Sequence, residues 1–350
     1  MPLRTYRKRE RKMFSPQWFP DHLASSVARL SPDIVNMHWV CNGYLQIETL
    51  KKLPYPLVWT LQDMWAFTGG CHYSESCDRY QKKCGSCPQL NSTKENDLSR
   101  QVWNRKFRAW KNANLTIVVP SSWMAECARS SSLFGQLRIE TIPFCLDTDV
   151  YRPHNRQFAR TVLNLPQDKQ LILFGALAAT SDKRKGFEVL ASALRHLHCN
   201  QLLPNAELAV FGSDPPEKPV DLGFKAHYLG HLNDDVSLAL AYSTADVMIV
   251  PSFQESFGQT ASEALACGVP VVAFNATGLK DIVAHQQSGY LAEPYEAEDL
   301  AKGIVWVLAD TERHTQLCRA ARQRAEQEFS LSLQAYRYVS LFQDLLGGSR

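Results

Sequence analysis

Residues 247–274 constrain the fold more than any other stretch of the chain, and they read VMIVPSFQESFGQTASEALACGVPVVAF. The runs 247–250 and 269–274 are short, apolar and rich in β-branched residues, which is typical of strands buried in a parallel sheet. Residues 259–267 have a helical composition, and Gly268 stands where a helix C-cap glycine belongs. The stretch therefore predicts strand, loop, helix and strand, the repeating unit of an α/β protein.

The loop at 251–258 holds polar groups that suit a phosphorylated ligand. Gly258 allows a close approach of the backbone, and the N–H groups at the start of the following helix favour an anion. Glu255 flanks the carboxyl end of the strand, where open α/β sheets bind ligands, and Glu263 follows eight positions later. Two carboxylates beside an anion site suit a nucleotide-sugar, although spacing alone also fits two solvated glutamates beside an ordinary helix cap.

The same stretch resembles the signature of group 1, or family 4, retaining glycosyltransferases, PS-x-x-E-x-F-G-x-x-x-x-E-A-x-A-x-G-x-P-V-V. Every fixed position is matched between Pro251 and Val272. The resemblance implies the GT-B fold, with two Rossmann-like doubly wound domains facing across a cleft. It also implies that Glu263 binds ribose hydroxyls, and that Glu255 binds the donor sugar and steadies an oxocarbenium-like state. Further donor-binding residues are expected at Ser256, Phe257, Gly258, Gln259 and Thr260.

Length and composition set the bounds of the prediction. A chain of 350 residues suffices for two α/β domains, and 45% hydrophobic with 21% charged residues is typical of soluble globular proteins. The net charge of +3 is too small to imply a nucleic-acid partner. No stretch approaches the ~18 apolar residues of a membrane span, and no signal peptide is evident. We expect a cytoplasmic protein, whose clustered cysteines indicate metal or packing rather than disulfides.

Residues 1–147 predict an acceptor-side Rossmann-like domain. Its expected strands are 33–40, 56–61, 115–119 and 138–142. His38 and Asp63 fall at strand ends, where ligands meet such sheets, although a lone histidine there is often structural. Because the resemblance implies an acceptor at these strand ends, His38 and Asp63 are candidate catalytic residues and Trp65 a further acceptor-side candidate. Relatives often carry histidine where this chain has Gln62, which cannot shuttle a proton near neutral pH.

The front end of this domain departs from the family pattern. Only 32 residues precede Asp33, and none of them predicts the strand and glycine-rich turn with which relatives begin. The N-terminal domain is therefore expected to be truncated. A basic run at 4–12, followed by Phe14, Trp18 and Phe19, suits either a peripheral contact with the inner membrane surface or a solvated terminus.

Residues 68–90 form a Cys-rich segment that contains Cys71, Cys77, Cys84 and Cys87. The closing C-x-x-C has the spacing of a tetrahedral metal site, whereas the C-x5-C half is less regular. We expect a structural zinc loop, with a compact loop of packed free thiols as the alternative. The segment also resembles the colanic-acid type of bacterial exopolysaccharide glycosyltransferases. Glycosyl transfer needs no thiol nucleophile, so no catalytic role for these cysteines follows.

Residues 148–330 predict the nucleotide-sugar-binding domain, and residues 331–350 a helix that crosses back to the first domain. The first strand of the second domain enters Gly175, which is an expected donor-binding residue, and the loop that follows ends in a basic turn. The family pattern G-R-x-x-x-x-K-G places an arginine and a lysine on the donor diphosphate. Lys185 matches that lysine. Ala176 stands at the arginine position, so Arg184 or Lys183 must substitute for the arginine, or one phosphate contact is lost. A solvated basic turn is the alternative.

The sequence thus predicts a retaining hexosyltransferase of exopolysaccharide-type biosynthesis. It would move a sugar from a UDP- or GDP-sugar to a saccharide or lipid-linked saccharide acceptor. No cofactor is expected for catalysis, because lysine and helix N–H groups can neutralise the leaving diphosphate. Two alternatives stay open. One is an inactive nucleotide-sugar-binding remnant or subunit, suggested by the shortened front end, and the other is a nucleotide-sugar epimerase on the same fold.

Overall fold

The computed structural model describes residues 2–176, 180–215 and 221–347. The chain divides into two compact units, which are Met1–Ile142 with Arg337–Arg350 (unit 1) and Pro143–Tyr336 (unit 2). Residues 177–179 of the predicted donor loop and 348–350 of the predicted last segment lie outside the described residues. None of the helices in the described ranges is long and apolar enough to cross a membrane.

Unit 1 is built on a small parallel sheet. Its strands are β1 (Val35–Met37), β2 (Leu57–Thr60), β3 (Leu115–Val119) and β4 (Arg138–Thr141), and its helices are α1 (Leu23–Leu30), α2 (Leu98–Trp110) and α3 (Ser122–Ser130). The strands lie in the order β1-β2-β3-β4, and every neighbouring pair is parallel. Strands β2 and β3 are buried along their whole length, as their apolar runs predict. The side chains of Asp97 and Ser121 cap α2 and α3 by accepting backbone N–H bonds.

A buried lysine lies in the aromatic core of unit 1. The Nζ atom of Lys106 donates hydrogen bonds to the carbonyl oxygens of Trp65 and Thr68, and it lies 3.6 Å from the centre of the Trp65 ring. Trp59 packs edge-on against Trp110 nearby, with ring centres 5.3 Å apart. Burial lowers the pKa of Lys106 to about 7, because a desolvated ammonium is disfavoured.

Unit 2 is built on a larger parallel sheet with helices on both faces. Its strands are β5 (Gln170–Gly175), β6 (Ala206–Phe211), β7 (Ala226–Tyr228), β8 (Val247–Val250), β9 (Val271–Phe274) and β10 (Gly289–Ala292). Its helices are α4 (Arg156–Val162), α5 (Phe187–Cys199), α6 (Asp235–Ser243), α7 (Gln259–Ala266), α8 (Leu279–Ile282), α9 (Ala297–Leu308), α10 (Thr311–Glu328) and the start of α11 (Leu331–Gly347). The strand order is β10-β9-β8-β5-β6-β7, so the order reverses between β8 and β5.

A buried ion pair ties the first helix of unit 2 to its sheet. Arg160 is 2% exposed, and its guanidinium NH2 lies 2.9 Å from Asp246 Oδ2. The same oxygen accepts the backbone N–H of Leu171 at the start of β5, and Arg156 contacts the other oxygen at 2.7 Å. The pair therefore fixes α4 against β5, one of the two strands between which the strand order reverses.

The end of α11 belongs to unit 1. The Tyr338 hydroxyl and Thr60 Oγ1 are 2.6 Å apart. Leu341 is buried against Val58, Val118 and Ile142. The division between the units falls between Ile142 and Pro143, a few residues before the predicted boundary at 147.

Candidate functional site

The strand order of unit 2 reverses between β5 and β8, and this switch point brings two loops side by side. Strands β5 and β8 are hydrogen-bonded neighbours, and the chain leaves them toward β6 and β9, which lie on opposite sides. Ligands of open α/β sheets bind in the crevice at the carboxyl ends of such strands. Here the crevice is flanked by the short helix Lys183–Lys185 and by the loop 251–258.

The two loops are joined by a cluster of one carboxylate and two cations. Lys185 Nζ donates to Glu255 Oε1 at 2.7 Å, and Arg184 NH1 lies 3.3 Å from Glu255 Oε2. Arg184 NH1 also donates to the Gln254 carbonyl at 2.8 Å. Glu255 is 8% exposed, so its carboxylate meets Lys185 and Arg184 in largely desolvated surroundings. The structure thus brings together three residues that the sequence predicted for the donor site.

The charge state of Glu255 follows from two opposed effects. Burial alone would raise its pKa, but the positive charges of Lys185 and Arg184 together lower the pKa of this carboxyl below its usual value. Glu255 is therefore ionised at neutral pH and is a poor proton acceptor. This arrangement suits electrostatic stabilisation of positive charge on a sugar ring better than general-base work.

Backbone contacts hold the two loops in register. The N–H of Phe253 donates to the Arg184 carbonyl at 2.8 Å. Gly186 has φ = 74°, and a Cβ atom there would overlap the Pro251 carbonyl oxygen. Only glycine therefore allows the basic turn to lie this close to the loop after β8.

The start of α7 lies at the same crevice. Gly258 has φ = 116°, and a Cβ atom there would lie 2.6 Å from Leu279 Cδ2. Gln259 is exposed and Thr260 is half-buried, so the first turn of α7 faces solvent, where its N–H groups can meet an anion. Ser256 is buried just before this turn.

Two predicted donor-site residues have packing roles in the structure. The Phe257 ring is 2% exposed and packs edge-on against Phe144 and Phe329, with ring centres 5.4 and 5.5 Å away. Gly175 ends β5, where a side chain would overlap the ring of Phe211. Phe257 therefore offers a ligand only its backbone, and Gly175 keeps room for the neighbouring strand.

Glu263 lies one to two turns inside α7 and is 6% exposed. Its Oε2 atom accepts a hydrogen bond from the Tyr242 hydroxyl of α6 at 2.7 Å. Burial raises the pKa of Glu263 to about 7, although the Tyr242 hydrogen bond opposes this shift. The expected role of Glu263 on ribose hydroxyls stays a prediction, and the structure adds Tyr242 as the residue that orients the carboxyl.

In unit 1, His38 and Asp63 border one small cavity of about 10 Å³, together with exposed Gln62. His38 is exposed, and its ring lies 3.3 Å from the Asn36 amide nitrogen. Asp63 accepts hydrogen bonds from Trp39 Nε1 at 2.8 Å and from the Trp65 backbone N–H at 2.8 Å. The Trp65 side chain is buried, so it supports this pocket rather than facing a ligand.

The four cysteines of the Cys-rich segment line a common cavity of about 20 Å³. Burial raises the pKa of Cys71 and Cys87 and raises that of Cys84 to about 12, so these thiols are protonated at neutral pH. In the described part of the chain, no group of three or more His, Cys, Asp or Glu side chains could hold a metal ion. The zinc loop therefore stays a prediction, and the packed free thiols stay its alternative.

Two residues of these sites were missed from the sequence. Tyr242 orients Glu263, and His72 lies 2.7 Å from Asp63. Tyr242 lies in a helix whose apolar pattern marks it only as core. His72 stands beside a cysteine, which draws attention to metal chemistry. Both contacts depend on tertiary folding, so residue spacing carries no signal for them.

Part of the chain is similar in sequence to known proteins. The sequence model of the family described as Glycosyl transferases group 1 matches residues 155–324. The D-inositol 3-phosphate glycosyltransferase of Xylanimonas cellulosilytica is 36% identical over 202 residues, which are 53% of this chain and 46% of that protein. The chain thus spans about half the length of the curated relatives it matches.

Solved structures extend the similarity to both units. The sucrose-phosphate synthase of Thermosynechococcus elongatus superposes with a TM-score of 0.72 at 23% identity, covering 93% of this chain and 77% of that one. HepE of Anabaena, in complex with UDP and glucose, gives 0.63 at 18% identity, covering 92% and 81%. The predicted α/β architecture with two Rossmann-like units is confirmed. Residues 155–324 match group 1 glycosyl transferases, and the chain shares the GT-B fold of its structural neighbours.

Proposed function

We propose that this chain is a glycosyltransferase that moves a hexosyl group from a nucleotide-sugar to a hydroxyl acceptor with retention of configuration. The observation that carries the proposal is the Lys185–Glu255–Arg184 cluster at the switch point of unit 2. It lies inside the stretch that matches group 1 glycosyl transferases. A cluster with both signs of charge suits a donor that has an anionic diphosphate and a sugar that becomes positive in the transition state.

The roles of the cluster follow from its charges. Lys185 and Arg184 would neutralise the diphosphate as the bond to the sugar breaks, together with the N–H groups at the start of α7. Glu255 would then face the sugar ring, where its negative charge stabilises the oxocarbenium-like state. Glu263 would bind the ribose hydroxyls. With two cations and a helix N-terminus available, we expect that no divalent metal is needed.

The donor and acceptor classes follow from the relatives. HepE is known in complex with UDP and glucose, so UDP-glucose is the first donor to test, followed by GDP- and ADP-sugars. Several relatives are named D-inositol 3-phosphate glycosyltransferases, which makes this polyol phosphate one candidate acceptor. A saccharide or lipid-linked saccharide of exopolysaccharide-type biosynthesis is the other. We assign the acceptor to unit 1, near His38 and Asp63.

A peripheral contact with an anionic membrane surface is part of this proposal. Of the three aromatic residues that follow the basic run at 4–12, Trp18 and Phe19 are 44% and 57% exposed, as is neighbouring Met13 at 60%, whereas Phe14 is buried in the core of unit 1 and cannot contact a membrane. Basic and aromatic residues together favour the headgroup region of an anionic bilayer. Such a contact would bring the protein to a lipid-linked acceptor. Cosedimentation with vesicles of anionic and of zwitterionic lipid tests it.

The test of the proposed function is turnover of a donor panel by the purified chain. UDP-, GDP- and ADP-sugars are supplied with D-inositol 3-phosphate or with saccharide acceptors, with and without EDTA. Release of nucleoside diphosphate and the mass of the product are measured, and NMR gives the anomeric configuration. Glu255→Gln is the test variant, and Glu312→Gln, which alters an exposed residue of α10, is the matched control.

Each outcome of this panel has a clear meaning. Transfer that persists in EDTA, is retained by Glu312→Gln and is lost in Glu255→Gln supports the proposal. Nucleotide binding without turnover points to a non-catalytic binding subunit. Isomerisation of the donor without transfer points to an epimerase. No binding and no turnover with any donor would contradict the donor site in unit 2.

A further inference from the structure

The Asp63 carboxylate in unit 1 is held by three donors. Trp39 Nε1 and the ring of His72 both contact Oδ2, at 2.8 and 2.7 Å, and the backbone N–H of Trp65 contacts Oδ1 at 2.8 Å. A carboxylate has about four acceptor positions, so three donors leave one for a further hydroxyl. The side chain is 12% exposed, and it borders the cavity that also reaches His38 and Gln62.

His72 is itself fixed on its other side. Its Nε2 atom lies 2.9 Å from Ser15 Oγ. The ring therefore bridges two polar groups, with Nδ1 toward Asp63 Oδ2 and Nε2 toward Ser15 Oγ. The carbonyl of His72 accepts the N–H of Met64 at 2.9 Å. His72 is 4% exposed, so the ring has little freedom to turn.

The rest of the Cys-rich segment holds His72 in place. Thr68 Oγ1 donates to the Cys71 carbonyl at 2.6 Å, and the N–H of Ser15 donates to the Gly70 carbonyl at 2.8 Å. Lys106 ties the start of the segment by donating to the Thr68 carbonyl at 3.0 Å. These bonds anchor Thr68, Gly70 and Cys71, which immediately precede His72.

The order Ser15, His72, Asp63 is also the order of a nucleophilic triad. Here Ser15 is 9% exposed. Its carbonyl accepts Trp65 Nε1 at 2.7 Å, and its own N–H is bonded to Gly70. A serine held in this way anchors the imidazole and exposes little of its surface to a substrate. The contacts from Ser15 to His72 and from His72 to Asp63 therefore orient the Asp63 carboxylate.

We propose that His72 is a positioning residue that fixes Asp63 so that one carboxylate oxygen receives an acceptor hydroxyl, and that the Cys-rich segment serves to hold His72. This inference rests on the proposed function, since it concerns the acceptor side of that reaction. It gives the chain a buried imidazole behind Asp63. Exposed Gln62, at the position where relatives often carry histidine, lies beside the same cavity.

The test compares His72→Leu, which removes the ring donor, with His72→Asn, whose amide can still donate near the position of Nδ1. Exposed His22→Leu in the same unit is the control. The first readout needs no activity. The indole N–H resonance of Trp39, assigned with Trp39→Phe, is followed in a TROSY spectrum, because this N–H is bonded to Asp63. The second readout is the KM for acceptor and the kcat, with the donor that wild-type protein turns over.

The rings of Trp39 and His72 lie 6.0 Å apart, so any loss of the imidazole changes the Trp39 chemical shift, and solvent exchange of the N–H is the readout. We expect this exchange to become faster in His72→Leu and to stay slow in His72→Asn and His22→Leu. For transfer, we expect the acceptor kcat/KM of His72→Leu to fall roughly 10- to 100-fold, mostly through KM, with unchanged donor affinity. His72→Asn should recover most of this loss. Unchanged solvent exchange of the Trp39 N–H in folded His72→Leu would overturn the inference, as would an equal loss of kcat/KM in His72→Asn.

The two proposals fail in distinguishable ways. A protein that binds no nucleotide-sugar contradicts the proposed function, while the Trp39 resonance still reports whether His72 holds Asp63. A protein with full transfer activity in His72→Leu contradicts the positioning role and leaves the donor site intact. Loss of folding in His72→Leu alone is resolved by Ser15→Ala, which removes the support of the ring and keeps the ring itself. Ser15→Ala must then raise the acceptor KM in the same direction, and an unchanged KM would overturn the inference.

Discussion

Lys185 donates from Nζ to Glu255 Oε1 at 2.7 Å, and the two residues are 70 positions apart in the chain. Lys185 comes from the loop after β5 and Glu255 from the loop after β8, the two strands that flank the switch point. With Arg184 as a second cation, the carboxylate is neutralised before any ligand arrives. A bound diphosphate must therefore draw Lys185 and Arg184 partly away from Glu255. The negative charge of Glu255 then acts more strongly on the sugar ring.

This relationship predicts opposite effects of Glu255→Gln on binding and on turnover. Without the negative charge of Glu255, Lys185 and Arg184 can pair with the ligand more strongly. The Kd for a nucleoside diphosphate should therefore stay equal or decrease. The turnover number should fall by about 100-fold or more, because the sugar cation loses its stabilising charge. Calorimetry gives the Kd and diphosphate release gives the turnover. A parallel loss of both quantities would mean that Glu255 only supports the fold.

Glu263 predicts a pH dependence of stability. Its pKa is raised from 4.5 to about 7 in the folded chain, so folding favours the protonated form. The stabilisation is complete below pH 4.5 and is lost as the pH rises through 7. Glu263→Gln cannot titrate, and its free energy of unfolding should change by ~3 kcal/mol less than that of wild type between pH 4.5 and pH 8.

Urea unfolding at pH 5, 6, 7 and 8 checks this prediction. The exposed Glu312→Gln is the matched control, and its pH profile should follow that of wild type. Identical profiles for all three proteins would show that Glu263 ionises freely in the folded state.

The buried Lys106 predicts a pH dependence of stability that is opposite in sign to that of Glu263. Its pKa is lowered from 10.5 to about 7 by burial, so the unfolded chain binds the proton more tightly. Stability should therefore rise as the pH increases from 7 toward 10.5. Relative to Lys106→Met, wild type should gain ~3 kcal/mol between pH 7 and 9.5.

Chemical unfolding over this range measures the difference, with exposed Lys111→Met as the control. A constant difference between wild type and Lys106→Met across the range would contradict a lowered pKa. The ammonium would then be fully stabilised by the Trp65 and Thr68 carbonyls.

The ion pair of Asp246 offers a comparison of two arginines on one carboxylate. Arg160 is buried, whereas the Arg156 side chain is 47% exposed. Arg160→Met leaves the buried carboxylate short of its main partner and should lower the free energy of unfolding by ~3–5 kcal/mol. Arg156→Met should lower it by less than ~1 kcal/mol, because exposed pairs contribute little. Equal losses from thermal or chemical unfolding would refute this ranking.

Much of the fold could be predicted from the sequence because its central strands are short, buried and apolar. The strands 115–119 and 247–250 were predicted with the bounds that the structure shows. The predicted strand 33–40 is only Val35–Met37, because its neighbour β2 pairs with just these residues. Strand 269–274 begins at Val271, since Val269 and Pro270 connect the helix to the sheet.

The site was predictable only where neighbouring strands bring loops together. Lys185, Arg184 and Glu255 follow adjacent strands, so the α/β pattern implies that they meet. The bonds of Glu263 to Tyr242 and of Asp63 to His72 join segments whose approach depends on packing in three dimensions. No periodicity marks such pairs. The burial that sets their surroundings is likewise a property of the folded chain.

Calorimetric titration of UDP, GDP and ADP into wild type, Lys185→Met and Lys225→Met is the sharpest test of a donor site in unit 2. Lys225 is a matched control, because its side chain is 70% exposed and lies 3.8 Å from Glu207 in the same unit. We predict that one nucleoside diphosphate binds wild type and Lys225→Met alike, and that its Kd rises about tenfold or more in Lys185→Met. Equal affinity in all three proteins, or no binding to a cooperatively folded wild type, would contradict a donor site at the switch point of unit 2.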